Sequence, residues 1–102
     1  MSSEMVCGGF TNTRPATPEI QAIADQVKPQ LEEKEKKKFS IFKAVEFMSQ
    51  AVAGANYLIK VQVGDDDYIH IQVFASLLHA NRPLELTSYQ TNKTRNDKLE
   101  SF

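Results

Sequence analysis

The spacing of apolar residues changes along the chain from three and four to two, which separates one helix from a series of strands. Between residues 17 and 31, apolar side chains recur at helical spacing and form a single stripe. The stripe consists of Ile20, Ile23, Ala24, Val27 and Leu31. The pattern therefore predicts an amphipathic helix, with Ile23 and Val27 at the centre of the core.

Local signals favour a helix that begins at residue 17. Thr17 supplies a hydroxyl that can cap free amides, and Pro18 stands where a missing N–H does no harm. Pro29 lies inside the pattern and removes the hydrogen bond to the carbonyl of Asp25. We therefore expect a kink, or an early end to the regular geometry, near Pro29.

A run of lysines follows the stripe and suits the negative end of a helix. Glu32 can pair with Lys36, and Glu33 with Lys37, at i,i+4 spacing. A nucleic-acid or lipid-headgroup patch is the alternative, but neither interleaved aromatic residues nor a second basic cluster supports it. We interpret the run as a solvated helix end and predict no nucleic-acid or membrane partner.

Strand-like alternation dominates from Phe39 onward. Residues 39–52 carry apolar side chains on both faces, which suggests a long strand with a bulge or a switch in burial. Residues 56–63 and 68–73 alternate, and the acidic segment 64–67 between them predicts an antiparallel hairpin. With a last strand over residues 84–90 and a short strand before the helix, the chain predicts an α+β fold: one helix across an antiparallel sheet.

Composition narrows the class of protein. A chain of 102 residues with 41% apolar side chains suits a single domain, residues 1–102, with a flexible N-terminal arm of about residues 1–14. The net charge of −1 provides no field that would recruit nucleic acid or an anionic membrane. Cys7 is the only cysteine, so no internal disulfide forms. We expect a cytoplasmic protein, with a nuclear pool left open.

No group of residues predicts catalysis, a cofactor or a metal. Cys7 lies in an arm that cannot hold a nucleophile in place, and His70 and His79 lack the spacing of zinc ligands. The aspartates at 65–67 lack a full calcium loop. A small hydrolase is therefore an alternative for which the sequence offers no set of catalytic residues. We predict that the protein is not an enzyme.

A stretch of small residues between two strong strands is unusual. It reads Gln50-Ala51-Val52-Ala53-Gly54. One interpretation is that the strand continues into a tight turn, where Gly54 supplies a backbone conformation denied to other residues. The other is that a narrow hairpin tip enters the cleft of a partner, with contacts through its backbone and Val52. Periodicity is compatible with both.

Residues 50–54 match the Q-x-V-x-G signature of the stefins, the type 1 branch of the cystatins, and the chain resembles that family over nearly its whole length. The similarity also covers residues 15–20, 27–34, 56–57, 59–61 and 73–74, in the family's order and spacing. It implies a cystatin-like α+β fold, in which one N-terminal helix packs across a five-stranded antiparallel sheet.

The resemblance also implies a reversible, competitive, tight-binding inhibitor of papain-like cysteine proteases, such as papain and cathepsins L, S, H and B. A wedge formed by the N-terminal arm and two hairpin loops would block the protease cleft. The matching positions are Met5, Val6, Cys7 and Gly8 in the arm, Gln50, Ala51, Val52, Ala53 and Gly54 in the first hairpin, and Leu77 and His79 in the second loop. Leu78 departs from the family, which usually has proline there.

A non-inhibitory interaction or self-assembling module is the main alternative function. Exposed strand edges can pair with another chain, and hairpins can exchange at residues 50–54. We expect a monomer, with a domain-swapped dimer or a Cys7-linked dimer as alternatives. His70 is expected on a solvent or sheet face, and Leu99 and Phe102 are expected to anchor the C-terminal tail.

Overall fold

The computed structural model describes residues 10–52, 54–76 and 84–100, with the side chain of Val52 left out. The elements in chain order are β1 (Arg14–Pro15), α1 (Pro18–Glu35), β2 (Lys43–Val52), β3 (Gly54–Gln62), β4 (Tyr68–Ser76) and β5 (Glu85–Lys93). The strands form one antiparallel sheet in the order β1-β2-β3-β4-β5, so each strand pairs with its neighbour in sequence. The predicted α+β architecture is confirmed.

Helix α1 begins where the capping signals predict. The hydroxyl of Thr17 accepts a hydrogen bond from the amide of Ile20 at 3.3 Å, and Pro18 occupies the first turn. Of the two expectations for Pro29, the early end is wrong, because α1 continues to Glu35, and the kink stays a prediction. Val27 and Leu31, two residues to either side of the proline, are fully buried, and this packing holds the turn despite its missing hydrogen bond.

The predicted ion pairs at the end of α1 do not form. Lys36 adopts a left-handed conformation with φ of 57°, so the helix stops before the side chains of Lys36 and Lys37 reach the positions opposite Glu32 and Glu33. The carboxylate of Glu32 instead lies beside Lys28 and Lys38, at 4.0 and 3.9 Å, and accepts a 2.9 Å hydrogen bond from the amide of Phe39.

Strand β2 contains the predicted bulge but starts later than the pattern suggests. The pairing with β3 shifts register between Ala44 and Glu46. The strand begins at Lys43 rather than Phe39, although Phe39 is buried and contacts the ring of Phe42, with the ring centroids 5.8 Å apart. Apolar residues before the strand therefore enter the core from a connecting segment.

The core lies between α1 and one face of the sheet. Val27 is completely buried, as predicted, whereas Ile23 is only partly buried at the margin of the core. The other buried members are Ile20, Ala24 and Leu31 of the helix, Phe39, Ala44, Phe47, Ile59, Val61, Ile69, Ile71, Val73 and Leu86. The period-two pattern of β3 and β4 identifies this face correctly.

The opposite face of the sheet is also covered, which periodicity does not predict. Lys60 is 3% exposed, and its ammonium donates a 2.7 Å hydrogen bond to the carbonyl of Arg95 in the segment after β5. Leu99 is buried in the same segment, so its predicted anchoring role is confirmed, while Phe102 lies outside the described residues. His70 is 1% exposed on this sheet face, so of its two expected positions the sheet face is confirmed and the solvent face is wrong.

Across the ranges that the structure describes, no helix has the length and apolar character needed to cross a bilayer.

Candidate functional site

The segment 50–54 forms the end of the hairpin that joins β2 and β3. The antiparallel ladder continues to the tip through the pairs Gln50 with Asn56, Ala51 with Ala55, and Val52 with Gly54. Ala53, between the last two partners, lies outside the described residues. Gly54 is buried and has φ of 135°, a conformation that L side chains rarely adopt.

A side-chain hydrogen bond closes the base of this tip. The side-chain nitrogen Nδ2 of Asn56 donates a hydrogen bond to the side-chain oxygen Oε1 of Gln50 at 2.9 Å. The two residues lie directly opposite each other in the ladder. Beyond this pair the described side chains are small, and Ala51 is exposed. The hairpin therefore narrows toward its end while its backbone pairing stays regular.

The root of the N-terminal arm lies beside the same hairpin. The amide of Thr11 donates to the carbonyl of Ser49 at 2.8 Å, and the hydroxyl of Thr11 accepts from the amide of Ser49 at 3.1 Å. Because β1 runs antiparallel to β2, moving from Arg14 back to Thr11 leads toward the tip. Met5, Val6, Cys7 and Gly8 lie outside the described residues and stay predictions.

The connection between β4 and β5 opens at this end as well. Ser76, the last residue of β4, pairs with Gly54 of the tip, and Phe74 pairs with Glu85 of β5. The connecting residues 77–83, including Leu77, Leu78 and His79, lie outside the described residues. The predicted second loop therefore leaves from β4, which pairs with β3 of the first hairpin, and returns to β5, which pairs with β4.

We call this end of the sheet, formed by residues 49–52, 54–56 and 76, the tip end. It contains four of the predicted site residues: Gln50, Ala51, Val52 and Gly54. Sequence reasoning missed Thr11, Ser49 and Asn56. The bond between Thr11 and Ser49 joins residues 38 positions apart, and hydrophobic periodicity carries no signal for such a contact.

The described residues of the tip end carry no charge, and the groups with displaced pKa values lie elsewhere. Burial, together with the nearby charges of Lys60 and Lys93, lowers the pKa of His70 to about 4. A hydrogen bond from the Thr94 amide lowers the pKa of Asp97. Contacts at the tip end therefore depend on shape, backbone groups and apolar area.

Potential metal ligands are also dispersed. Within residues 10–52, 54–76 and 84–100, histidine, cysteine, aspartate and glutamate side chains nowhere gather in groups of three that could hold a metal ion. The three aspartates of the turn at 65–67 are exposed and point to no shared site.

Comparison with known proteins assigns the chain to a family. The sequence model of the cystatin domain matches residues 8–96. Bovine (Bos taurus) stefin-C is 70% identical over 95 residues, which cover 93% of this chain and 94% of that protein.

Two further relatives are similar over a slightly longer part of the chain. Bovine cystatin-B is 66% identical over 98 residues, and human (Homo sapiens) cystatin-B is 61% identical over 98 residues. Each alignment covers 96% of this chain and 100% of the relative. The similarity therefore includes the helix, all five strands and the tip end.

Proposed function

This chain belongs to the cystatin family, in its stefin branch, and on that premise we propose that it inhibits papain-like cysteine proteases reversibly and competitively. Family membership supports the coarser statement, that the protein inhibits cysteine proteases and is not an enzyme. The proposal adds the surface that binds and the way in which it blocks the protease.

The convergence of three segments at the tip end is the observation that carries this proposal. The arm root reaches Ser49, the hairpin ends at Gly54, and the second loop departs from Ser76, which is the partner of Gly54. A surface of this kind can fill a cleft on both sides of a catalytic cysteine. Substrate is then excluded, while no peptide bond of the inhibitor is placed for attack.

The regular pairing of the hairpin favours tight binding. A ladder that is already formed loses little conformational entropy on docking, so more of the contact energy is retained as affinity. The small side chain of Ala51 and the glycine at 54 let the backbone approach the walls of the cleft closely. We propose that Gln50, Ala51, Val52, Ala53 and Gly54 form the central contact.

The arm and the second loop are proposed to bind on either side of this hairpin. Met5, Val6 and Cys7 bring apolar area, and Gly8 allows close approach to the unprimed side of the cleft. Leu77 and His79 are proposed contacts on the other side. Leu78, at the position where stefins usually carry proline, leaves this loop without the restriction on φ that proline imposes.

The proposed partners are papain and cathepsins L, S, H and B, with enzymes whose clefts are open favoured over those whose clefts are partly occluded. We propose that the binding unit is a cytoplasmic monomer of one domain, residues 1–102. In a dimer formed by exchanging hairpins at residues 50–54, the tip that is proposed to enter the cleft would no longer be available for binding.

Titration of papain and cathepsin L with a fluorogenic peptide substrate tests the proposal. The wild-type protein is expected to inhibit both enzymes tightly and reversibly. Gly54→Glu should weaken inhibition at least 100-fold, as an order-of-magnitude expectation, because it adds a charged side chain at a backbone position with φ of 135°. Circular dichroism must show that both proteins are folded.

Asn96→Glu is the matched control for this substitution. It adds the same charge at an exposed position in the segment after β5, at the other end of the sheet. Its inhibition should equal that of the wild type. Equal inhibition by folded Gly54→Glu would contradict the placement of the tip, and no inhibition by the wild-type monomer would contradict the function itself.

A further inference from the structure

Four residues hold the root of the arm against β2: Thr11, Arg14, Phe47 and Ser49. We call them the arm clamp. Thr11 makes two hydrogen bonds with the backbone of Ser49, one through its amide and one through its hydroxyl. The guanidinium of Arg14 lies 4.7 Å from the ring centroid of Phe47 and donates to the hydroxyl oxygens of Ser49 and Thr11 at 3.3 and 3.5 Å.

The clamp extends the β1–β2 pairing by means of a side chain. The regular ladder covers only Arg14 with Phe47 and Pro15 with Glu46. Further toward the tip, the hydroxyl of Thr11 takes the place of a backbone carbonyl and accepts the amide proton of Ser49. A strand of two residues is thereby given a second point of attachment, three residues before Arg14.

Two points of attachment define a direction, whereas one does not. If β1 were the only attachment to the sheet, residues 10–13 could adopt many orientations about Arg14. A segment held at one end keeps most of its conformational entropy. The bonds at Ser49 fix the path of the chain one residue before Gln50 of the tip. The arm therefore leaves the sheet beside the hairpin, where the proposed cleft contacts begin.

We propose that Thr11 is a positioning residue for protease binding, because its paired hydrogen bonds with Ser49 aim the arm along the hairpin tip. This inference rests on the proposed function. Thr11 lies outside the segment proposed to contact the protease, and it acts by lowering the entropy that the arm loses on binding. Its effect should therefore appear mainly as slower dissociation of the complex.

The first variant to test is Thr11→Val, which preserves the shape of the side chain and removes its hydroxyl. We expect its complex with papain to dissociate about 2- to 10-fold faster, the range that corresponds to the loss of the Ser49 hydrogen bond, since the contact from Arg14 at 3.5 Å is long and exposed and adds little. Thr11→Ser retains a hydroxyl and should restore the wild-type rate. Thr13→Val is the control, because Thr13 is exposed on the same segment and takes no part in the clamp.

Hydrogen exchange gives a readout that does not depend on a protease. The amide of Ser49 should exchange faster in Thr11→Val than in the wild type or in Thr11→Ser, because its acceptor has been removed. Unchanged exchange at Ser49 would mean that the clamp does not form in solution, which would overturn the inference.

A double-mutant cycle separates positioning of the arm from a general loss of stability. Met5→Ser with Val6→Ser in the full-length chain removes the apolar contacts proposed for the arm. If Thr11 acts by aiming those contacts, Thr11→Val should have little further effect on dissociation in this background. An equal effect in both backgrounds, or none in either, overturns the positioning role.

The two proposals fail in different ways. If the wild-type protein inhibits papain and Thr11→Val dissociates at the same rate, the positioning role is overturned and the inhibitory function stands. If the wild-type protein does not inhibit papain at all, the proposed function fails, and the role of Thr11 in it fails as well.

Discussion

At the scale of single residues, the two glycines at the ends of β3 illustrate different constraints. Gly54 has φ of 135°, so any Cβ there meets a strained backbone. Gly64, in the turn after β3, has no such conformation, and a Cβ added there would lie 3.3 Å from the Cβ of Asp67. Only the first position demands glycine for its backbone.

We therefore expect Gly54→Ala to lower the free energy of unfolding by about 1–3 kcal/mol, the usual cost of a side chain in a sparsely populated backbone region. Gly64→Ala is the matched control and should cost less, because a shift of a few tenths of an ångström relieves its single close contact. Urea unfolding of both variants measures the difference. Equal losses would contradict a backbone constraint specific to Gly54.

Residue-scale features were predictable where their partners are close in sequence. The cap at Thr17 bonds an amide three residues away, and the sequence alone identified it. Lys60 instead bonds a carbonyl 35 residues away, and the alternation of residues along a strand carries no signal for such a contact. The clamp at Thr11 was missed for the same reason.

At the scale of elements, two glutamines of α1 bind backbone groups at the start of β2 and at the start of the edge strand β5. Gln21 donates to the carbonyl of Phe42 at 3.0 Å and accepts from the amide of Ala44 at 2.8 Å. Gln30 donates to the carbonyl of Leu84 at 2.9 Å and accepts from the amide of Leu86 at 3.1 Å. Each side-chain amide pairs with the backbone at the start of a strand, as a neighbouring strand would.

These contacts bear on the self-assembly alternative. An edge whose backbone groups are already paired offers fewer bonds to a second chain. Strand β5 is protected further by register shifts in its pairing with β4 near Leu86 and again between Gln90 and Lys93, which interrupt a regular ladder. Among the described residues, these contacts leave the start of β5 with fewer backbone groups for pairing with an added strand.

We expect Gln30→Ala to lower the free energy of unfolding by about 1–3 kcal/mol, because it leaves the carbonyl of Leu84, just before β5, and the amide of Leu86 without their partner. Gln26→Ala is the matched control, since Gln26 is exposed on the same helix and should tolerate the change. Chemical unfolding followed by circular dichroism measures both. A loss in Gln26→Ala as large as that in Gln30→Ala would contradict the edge contact.

Elements were predicted best where one face meets the core. The alternation in β3 and β4 and the stripe of α1 both reflect burial against one surface, so the sequence records them directly. The end of α1 was misjudged because tertiary packing at Val27 and Leu31 overrides the local effect of Pro29. Local propensity does not report such packing.

At the scale of the whole molecule, the segment after β5 turns the exposed face of a sheet into a second buried layer. His70 lies on that face, with Lys60 of β3, Lys93 of β5 and Asp97 of the covering segment as its charged neighbours. Its Nε2 atom is buried without a hydrogen-bond partner among the described residues. The fold therefore holds this imidazole in its neutral form.

The lowered pKa of His70 makes stability depend on pH. The pKa is about 4 in the folded protein, against an ordinary value of 6.5, so between these values the unfolded chain binds more protons. The contribution of His70 to stability is therefore complete above pH 6.5 and is lost as the pH falls toward 4. Urea unfolding across this range should show a steady decrease in the free energy of unfolding.

His70→Gln tests this assignment, because glutamine does not titrate. Carboxylates also titrate near pH 4, so the informative quantity is the difference between the wild type and the variant at each pH. We expect the decrease between pH 6.5 and 4 to be smaller in His70→Gln. Parallel curves for the two proteins would show that another group causes the dependence.

The buried lysine of β3 also has a consequence for the order in which a newly made chain can fold. Ribosomes produce β2, β3 and β4 before the segment that contains Arg95, whose carbonyl accepts the Lys60 ammonium. Until that acceptor emerges, the carboxylate of Glu46 in β2, 3.7 Å away, is the ammonium's other partner, and the N–H group that later meets Arg95 must stay hydrated, because burying it without an acceptor is costly. The sheet can thus grow hairpin by hairpin during translation, but its second face closes only after β5 has been synthesised.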